Sequence, residues 1–162
     1  MSHQAALPMV VGIGQAQVLV VTEIPLAPPA FKIKHIVKDF QDVTCVAITN
    51  KVIVTGTLVK DINFKTFERR EVFNGIPRIC GDVRHCDVEI PFSLFVEIPG
   101  AREGDRCEVI NVEVEGEVDE PRDYLSDNCR VFRTLLERTV IRVVVRVTRV
   151  KDVYWGKDSP QE

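Results

Sequence analysis

Polar and apolar residues alternate along much of the chain with the period of two that marks half-buried β-strands. The longest example spans residues 84–98, where apolar residues occupy alternate positions from Cys86 to Ile98. The positions between them are mostly polar, with Phe95 as the exception. Pro91 lies inside this segment and has no N–H to donate to a ladder, which predicts an edge strand or a break into two short strands.

The same pattern predicts further strands along the rest of the chain, at residues 9–22, 31–37, 40–49, 51–60 with a continuation to 73, 107–118 and 131–151. Asn50-Lys51 is a plausible tight turn, and the prolines at 25, 28 and 29 should break any ladder. The polar stretch 119–130 is long enough to hold a short helical turn. About eight strands with short turns predict an all-β fold, an antiparallel β-sandwich in a single domain.

The expected organisation has three parts. Residues 1–22 form an N-terminal extension or strand, residues 23–152 form the β-sandwich domain, and residues 153–162 form a C-terminal tail. The apolar positions of the first part include four candidate assembly residues, Val10, Val11, Val18 and Val20. A strand of this kind can add to the sheet edge of a neighbouring molecule, and the alternative is that it pairs within its own domain.

Composition supports the β assignment and excludes several functional classes. The 162 residues include 27 Val, 13 Ile and 9 Thr, against 15 Leu and Ala together, which rules out an all-helical protein. The net charge of −3 gives no bulk electrostatic case for nucleic acid. No apolar run approaches the roughly 18 residues that a membrane helix needs. The N-terminus lacks the basic and strongly apolar regions of a signal peptide.

No catalytic motif is present. The three histidines have no motif around them, and the G-x-S-x-G, H-E-x-x-H and P-loop patterns are absent. We therefore expect no enzymatic activity, no cofactor and no metal.

The five cysteines leave at least one without an intramolecular partner. Cys45 shares the apolar phase of its strand and is interpreted as a core residue. The candidates for cross-links between chains lie near turn-like sequence and are Cys80, Cys86 and Cys129. Cys80 and Cys86, with His85 between them, would alternatively form half of a metal site, but small buried hydrophobic residues or free thiols are the favoured interpretation.

Two strands carry charges of opposite sign. The acidic residues Glu113, Glu115 and Glu117 alternate with apolar ones, which predicts a solvated strand face. The basic residues of the last strand include Arg138, Arg142 and Arg146. Ion pairs across the sheet or between subunits explain both runs, and are favoured over calcium ligands for the first and a basic stripe for an anionic polymer for the second.

Two stretches resemble a known family. They are residues 12–64, which include the V-x-V-x-G strand at Val52–Gly56, and residues 88–118, which begin near the PFS-x-F-x-x-IPGA segment at Pro91–Ala101. Together they are similar to the SPOCS-type domain, found in spore-coat morphogenesis proteins of endospore-forming Firmicutes. The chain departs from the family pattern at Ala30-Phe31-Lys32, where an acidic residue is expected. The resemblance implies a spore-associated role without an active site.

The resulting expectation is a non-enzymatic structural protein. It would self-assemble into a spore-coat or surface layer, or an extracellular filament, through β-strand contacts with or without disulfides. Its partners would be itself and other spore-coat proteins, with no nucleic acid and no membrane. It would be made in the cytoplasm without a signal peptide and deployed at the spore surface or extracellularly. The alternative is a binding module for a coat protein or a glycan. Glycan-binding sandwiches usually present clustered aromatic residues, whereas here only Tyr124, Tyr154 and Trp155 lie outside probable core positions.

Overall fold

The computed structural model describes residues 3–126 and 129–155, and in these ranges it consists of strands, turns and loops without a helix. The strands are β1 (His3–Ile48), β2 (Lys51–Thr66), β3 (Arg69–Phe73), β4 (Ile76–Cys80), β5 (Val83–Glu97), β6 (Arg106–Tyr124) and β7 (Phe132–Trp155). All strand pairings are antiparallel. The prediction of an all-β, single-domain protein is confirmed, with seven strands in place of about eight. The described residues include no helix that could cross a membrane.

Strand β1 is 46 residues long and serves two parts of the fold. Its first half, residues 3–25, pairs with β7, and its second half, residues 30–48, pairs with β2. The pairing is interrupted between Pro25 and Ala30, where the prolines were expected to break a ladder. The prolines therefore change the partner of the strand without ending it, which merges three predicted strands into one.

The five-stranded sheet has the order β5–β2–β1–β7–β6 and folds over at the middle of β1. One layer contains β5, β2 and the second half of β1, and the other contains the first half of β1 with β7 and β6. The main core cluster draws on both layers, for example Val54 and Leu58 of β2 with Ile141 and Val143 of β7. Burying side chains of this size contributes about 1.5–3 kcal/mol each, so the apolar phases of the strands hold the layers together.

Two glycines of β1 allow close packing at one side of this core. A Cβ at Gly14 of β1 would lie 2.9 Å from the carbonyl oxygen of Glu97, and one at Gly12 would lie 2.8 Å from the side chain of Ile98. The absence of side chains here lets the first half of β1 approach the end of β5 closely.

Turns and edges explain where the local predictions succeeded and failed. Pro91 lies in β5, an edge strand, as predicted. The turn between β1 and β2 consists of Thr49 and Asn50, one residue earlier than predicted, because Lys51 already pairs with Ile48; Asn50 has a φ of 62°. A continuous strand to residue 73 is wrong, because β2 ends at Thr66 and residues 67–68 separate it from β3. Strand β3 pairs with β4 in a separate hairpin that the Asn74-Gly75 turn closes. A helical turn in residues 119–130 is also not found in the described part, because β6 continues to Tyr124.

Candidate functional site

A disulfide joins the two layers of the sheet. Cys45 in the second half of β1 is bonded to Cys107 of β6, with the two Cα atoms 6.1 Å apart. The interpretation of Cys45 as a core residue agrees with its half-buried position against the main core, but its bond to Cys107 was not predicted. Sequence reasoning missed the pair because connectivity cannot be deduced from the spacing of cysteines.

The three cross-link candidates are free, half-buried thiols in different places. Cys80 ends β4, Cys129 lies between β6 and β7, and Cys86 packs from β5 against the second core cluster. Burial and then the charges of neighbouring aspartates raise the pKa of the Cys86 thiol, which makes it a poor nucleophile. His85 and Cys86 point to opposite faces of β5. The metal half-site considered for Cys80, His85 and Cys86 therefore does not form.

The candidate assembly strand is occupied within its own sheet. Val10, Val18 and Val20 stand opposite Thr148, Ile141 and Thr139 of β7. Val11, Val18 and Val20 pack against the main core, whereas Val10 is exposed. Residues 3–25 are thus paired with β7 along one edge and are not available for donation as an unpaired strand.

Most members of the two charged runs pair across β6 and β7. Arg142 Nη1 lies 3.0 Å from Glu113 Oε1, and Arg138 Nη1 lies 3.1 Å from Glu120 Oε2. Arg146 lies 2.7 Å from Glu108, and Glu115 accepts a hydrogen bond from the Gln17 side chain. Each of these exposed pairs contributes roughly 0–1 kcal/mol to the free energy of unfolding, so they add little to the stability of the fold.

Glu117 does not belong to this solvated face. The pairing of β6 with β7 shifts between Val114 and Gly116, which leaves Glu115 as an extra residue and turns Glu117 and Asp119 to the inner face. The predicted alternation therefore fails at this bulge. Val118 faces the solvent, and its acidic neighbours Glu117 and Asp119 face inward.

A group of charged residues lies between the two layers. Lys60 of β2 is fully buried, and its Nζ contacts the carboxylate of buried Glu137 and lies 2.7 Å from Thr139 Oγ1. The same Nζ lies 3.5 Å from Glu117 Oε2, which Lys38 Nζ approaches to 2.8 Å. One carboxylate oxygen from each of Glu117, Asp119 and Glu137 lies within 4.8 Å of the others. We call the following residues the buried charge cluster: Lys38, Lys60, Glu117, Asp119 and Glu137.

Burial and mutual contacts shift the pKa values of three members of the cluster, Lys60, Glu117 and Asp119. Desolvation lowers the pKa of Lys60, although the charges of Glu117 and Asp119 oppose this. Burial disfavours the charged form of Glu117, but hydrogen bonds from Lys38 and Asp119 and the charge of Lys60 hold its pKa below the usual value. Burial, and then the hydrogen bond and charge of Glu117, raise the pKa of Asp119 to about 6.

We call the line along which the second half of β1 faces β6 the seam. Next to the buried charge cluster the seam widens into a cleft of about 900 Å³, the seam cleft. Asp119 is the cluster residue that lines it. The rings of Tyr124 and Phe132 form an edge contact in its wall, with centroids 5.9 Å apart. Its other lining residues include Phe31, Lys32, Cys129 and Arg130. Charged and aromatic groups of this kind suit the binding of a polar ligand.

Two groups of side chains converge closely enough to share a metal ion. The inner one consists of the three cluster carboxylates, where the Lys60 ammonium already supplies a positive charge. The outer one consists of Asp61, His85 and Asp87, on the outer face of β2 and β5. Asp61 and Asp87 stand directly opposite each other, and His85 Nδ1 lies 3.5 Å from Asp61 Oδ1, so a protonated histidine would reduce their repulsion.

The outer faces of both layers carry exposed apolar side chains. Val46, Ile53 and Phe95 are register partners that form a row across β1, β2 and β5. On the other layer, Val21 of β1 and Val118 of β6 flank Arg138 of β7, and exposed Leu19 lies next to Val21 on the same face. We call these the first and second outer rows. Of the three aromatic residues expected outside the core, Tyr124 is exposed in the seam cleft, while Tyr154 and Trp155 end β7 with side chains outside the described part.

Comparison with known proteins identifies the family. No curated protein and no solved structure matches the chain. The family model described as "SipL, SPOCS domain" matches residues 30–120, which is more than half of the chain. The match begins at the bend of β1 and extends into β6, so it includes the disulfide, Lys38, Lys60, Glu117 and Asp119. The chain belongs to the SipL, SPOCS domain family.

Proposed function

We propose that this chain is a non-enzymatic structural protein of the spore surface that assembles with further copies of itself. Membership of the SPOCS family supports the association with spores. The observation that carries the proposal of self-assembly is the presence of exposed apolar rows on both outer faces of the sheet.

The first outer row is unusually apolar for a solvated sheet face. Phe95 is 57% exposed, and Val46 and Ile53 beside it are also open to solvent. Lys51 Nζ lies 5.9 Å from the centre of the Phe95 ring, so a charged group stands at the rim of the row. An apolar centre with a polar rim is the usual composition of a protein–protein interface.

The second outer row lies on the other layer, so the two rows face in opposite directions. A molecule with two different contact faces on opposite sides can bind one neighbour through each face. Contacts of this head-to-tail type produce open chains or layers when the rotation between copies does not close a ring. Face-to-face packing accordingly replaces strand donation in this proposal, because residues 3–25 are already paired with β7.

Disulfides between copies would reinforce such contacts. Cys80 and Cys129 are half-buried thiols outside the core clusters, and they are better candidates than Cys86, which packs against the second cluster. A ladder of bands on non-reducing gels that collapses with reductant would support this role.

The test of self-assembly is sedimentation velocity and negative-stain electron microscopy of the purified chain. We expect concentration-dependent oligomers for the wild type and their loss in Phe95→Glu and Leu19→Glu. Val72→Glu is the matched control, since Val72 is 69% exposed on the β3–β4 hairpin and belongs to neither row. A wild-type protein that stays monomeric at high concentration would contradict the proposal.

The seam cleft favours a second candidate, a binding module for a coat-protein partner or a glycan. Its charged and aromatic lining is concave, which suits the binding of a ligand better than the flat outer faces do.

A further inference from the structure

The charges at the inner end of the seam cleft do not balance. Three carboxylates converge there, from Glu117, Asp119 and Glu137, and two ammonium groups, from Lys38 and Lys60, lie among them. When all five groups are ionised, one negative charge has no counterion in the cluster. Asp119, which lines the cleft, brings this charge into contact with the open space.

One of these carboxylates also lacks a hydrogen-bond partner. Glu137 is 1% exposed, and its Oε1 is buried without a donor, while the other side of the carboxylate contacts Lys60. A buried carboxylate oxygen without a partner is costly, and additional positive charge or a donor nearby would reduce that cost. The five groups of the cluster thus carry one negative charge in excess, and Asp119, not Glu137, exposes it to the cleft.

The walls of the cleft add a second feature that favours a cation. Phe31, Tyr124 and Phe132 line it, and the Tyr124 ring is half exposed. The face of an aromatic ring attracts ammonium and guanidinium groups, by about 0.5–2 kcal/mol depending on how much water is removed. Aromatic walls with a carboxylate at the inner end form a pocket of the kind that holds a basic side chain.

We propose that the seam cleft binds a lysine or arginine side chain of a partner protein, with the cationic group directed to Asp119. A single positive charge neutralises the excess of the cluster. A divalent ion would overcompensate it and would compete with Lys60 for the same carboxylates. Lys32 and Arg130 also line the cleft, so an acidic residue next to the basic one fits the rest of the lining.

The test uses the full chain and a small probe, the tripeptide Glu-Lys-Glu with both ends blocked, titrated by NMR. We expect saturable shifts of the Tyr124 and Phe31 resonances. Replacing the lysine of the probe by norleucine, which keeps the chain length and removes the charge, should weaken binding at least about tenfold. Equal binding of the norleucine probe would overturn the proposal.

Substitutions in the chain test whether the probe binds in the seam cleft. Asp119→Asn should weaken binding of the lysine probe at least about tenfold. Glu113→Gln, an exposed position on the same strand, should leave it unchanged. Tyr124→Leu gives a second measurement, with an expected loss of severalfold that does not disturb the charge cluster. Calcium chloride alone is the competing probe, and saturable calcium binding that displaces the peptide would overturn the proposal in favour of a metal site.

The inference does not depend on self-assembly. The outer rows lie on the outer faces of the layers, away from the cleft lining, so Phe95→Glu should bind the probe as the wild type does. A protein that assembles but ignores the probe, or binds the probe but stays monomeric, would separate the two proposals.

Discussion

The two ends of the seam between β1 and β6 differ in how the layers are joined. At one end, called the upper end, the Cys45–Cys107 disulfide links the strands covalently. Lys38, seven residues before Cys45, and Glu117, ten residues after Cys107, form an ion pair farther along the seam. At the lower end Phe31 and Asp119 line opposite sides of an open cleft. In the described part of the chain β1 and β6 are not sheet partners at either end.

This contrast shows that side chains, not backbone ladders, decide where the layers close. The disulfide and the charge cluster hold the upper seam, which fixes the position of β6 relative to β1. The β1 and β6 walls of the cleft are therefore tied together beside it by the disulfide and the charge cluster. Changes at the upper seam should therefore affect stability, and changes at the lower seam should affect binding.

The largest expected effect comes from removing the buried cation. Lys60→Met leaves Glu137 buried without its counterion, and breaking a buried pair in this way costs roughly 3–5 kcal/mol. Urea denaturation monitored by fluorescence measures the change in the free energy of unfolding. Lys65→Met, at an exposed position of the same strand, is the control and should change it little. A loss below about 1 kcal/mol for Lys60→Met would contradict the structural role of the cluster.

Opening the disulfide should have the next largest effect. The bonded cysteines are 62 residues apart, and closing a loop of this length stabilises a protein by roughly 2–4 kcal/mol through the entropy of the unfolded chain. Cys45→Ala with Cys107→Ala should lower the free energy of unfolding by that amount. Reductant should destabilise the wild type and leave the double variant unchanged.

A thiol count supplies the covalent check for this prediction. Five cysteines minus the two in the disulfide leave three thiols for labelling in the denatured, unreduced protein. Labelling of five thiols would exclude the bond.

The sequence was sufficient to predict the elements that depend on local pattern. Strand β5 was predicted from its alternation, and its edge position from Pro91, because both signals lie within one segment. By contrast, the break at residues 67–68 between β2 and β3 contains neither glycine nor proline, so the predicted strand was wrongly extended through it to residue 73.

The site depends on relations that no local pattern contains. The inward turn of Glu117 follows from a bulge that becomes visible only in the register of β6 against β7. Lys60 did carry a clue, since it shares the phase of Leu58 and Ile62, two buried residues. A lysine in an apolar phase indicates a buried charge with a partner, but the identity of the partner, Glu137, requires the fold.

A smaller effect is expected from pH, through Asp119. Its pKa is raised from 3.8 to about 6 in the folded protein, so the folded state holds its proton more tightly than the unfolded state. The resulting stabilisation is fully present below the unfolded pKa and is lost as the pH rises through about 6. Glu117 acts in the opposite direction at lower pH, because its pKa is lowered.

Asp119→Asn removes the first of these contributions. The variant should lose the fall in stability that the wild type shows as the pH rises through about 6. Urea denaturation at a series of pH values compares the two proteins. Parallel pH profiles would place the titration on another group.

The smallest effect concerns a matched pair of substitutions on β6. Glu113→Gln breaks an exposed pair with Arg142, whereas Glu117→Gln makes the same chemical change at a position that faces Lys38 and Lys60. Solvent screens the first pair, so its loss should cost roughly 0–1 kcal/mol and should shrink further in high salt. The second substitution should cost more and depend less on salt, because its partners lie between the layers. Equal costs with equal salt dependence would show that both glutamates are solvated, and the distinction between the outer surface and the closed seam would fail.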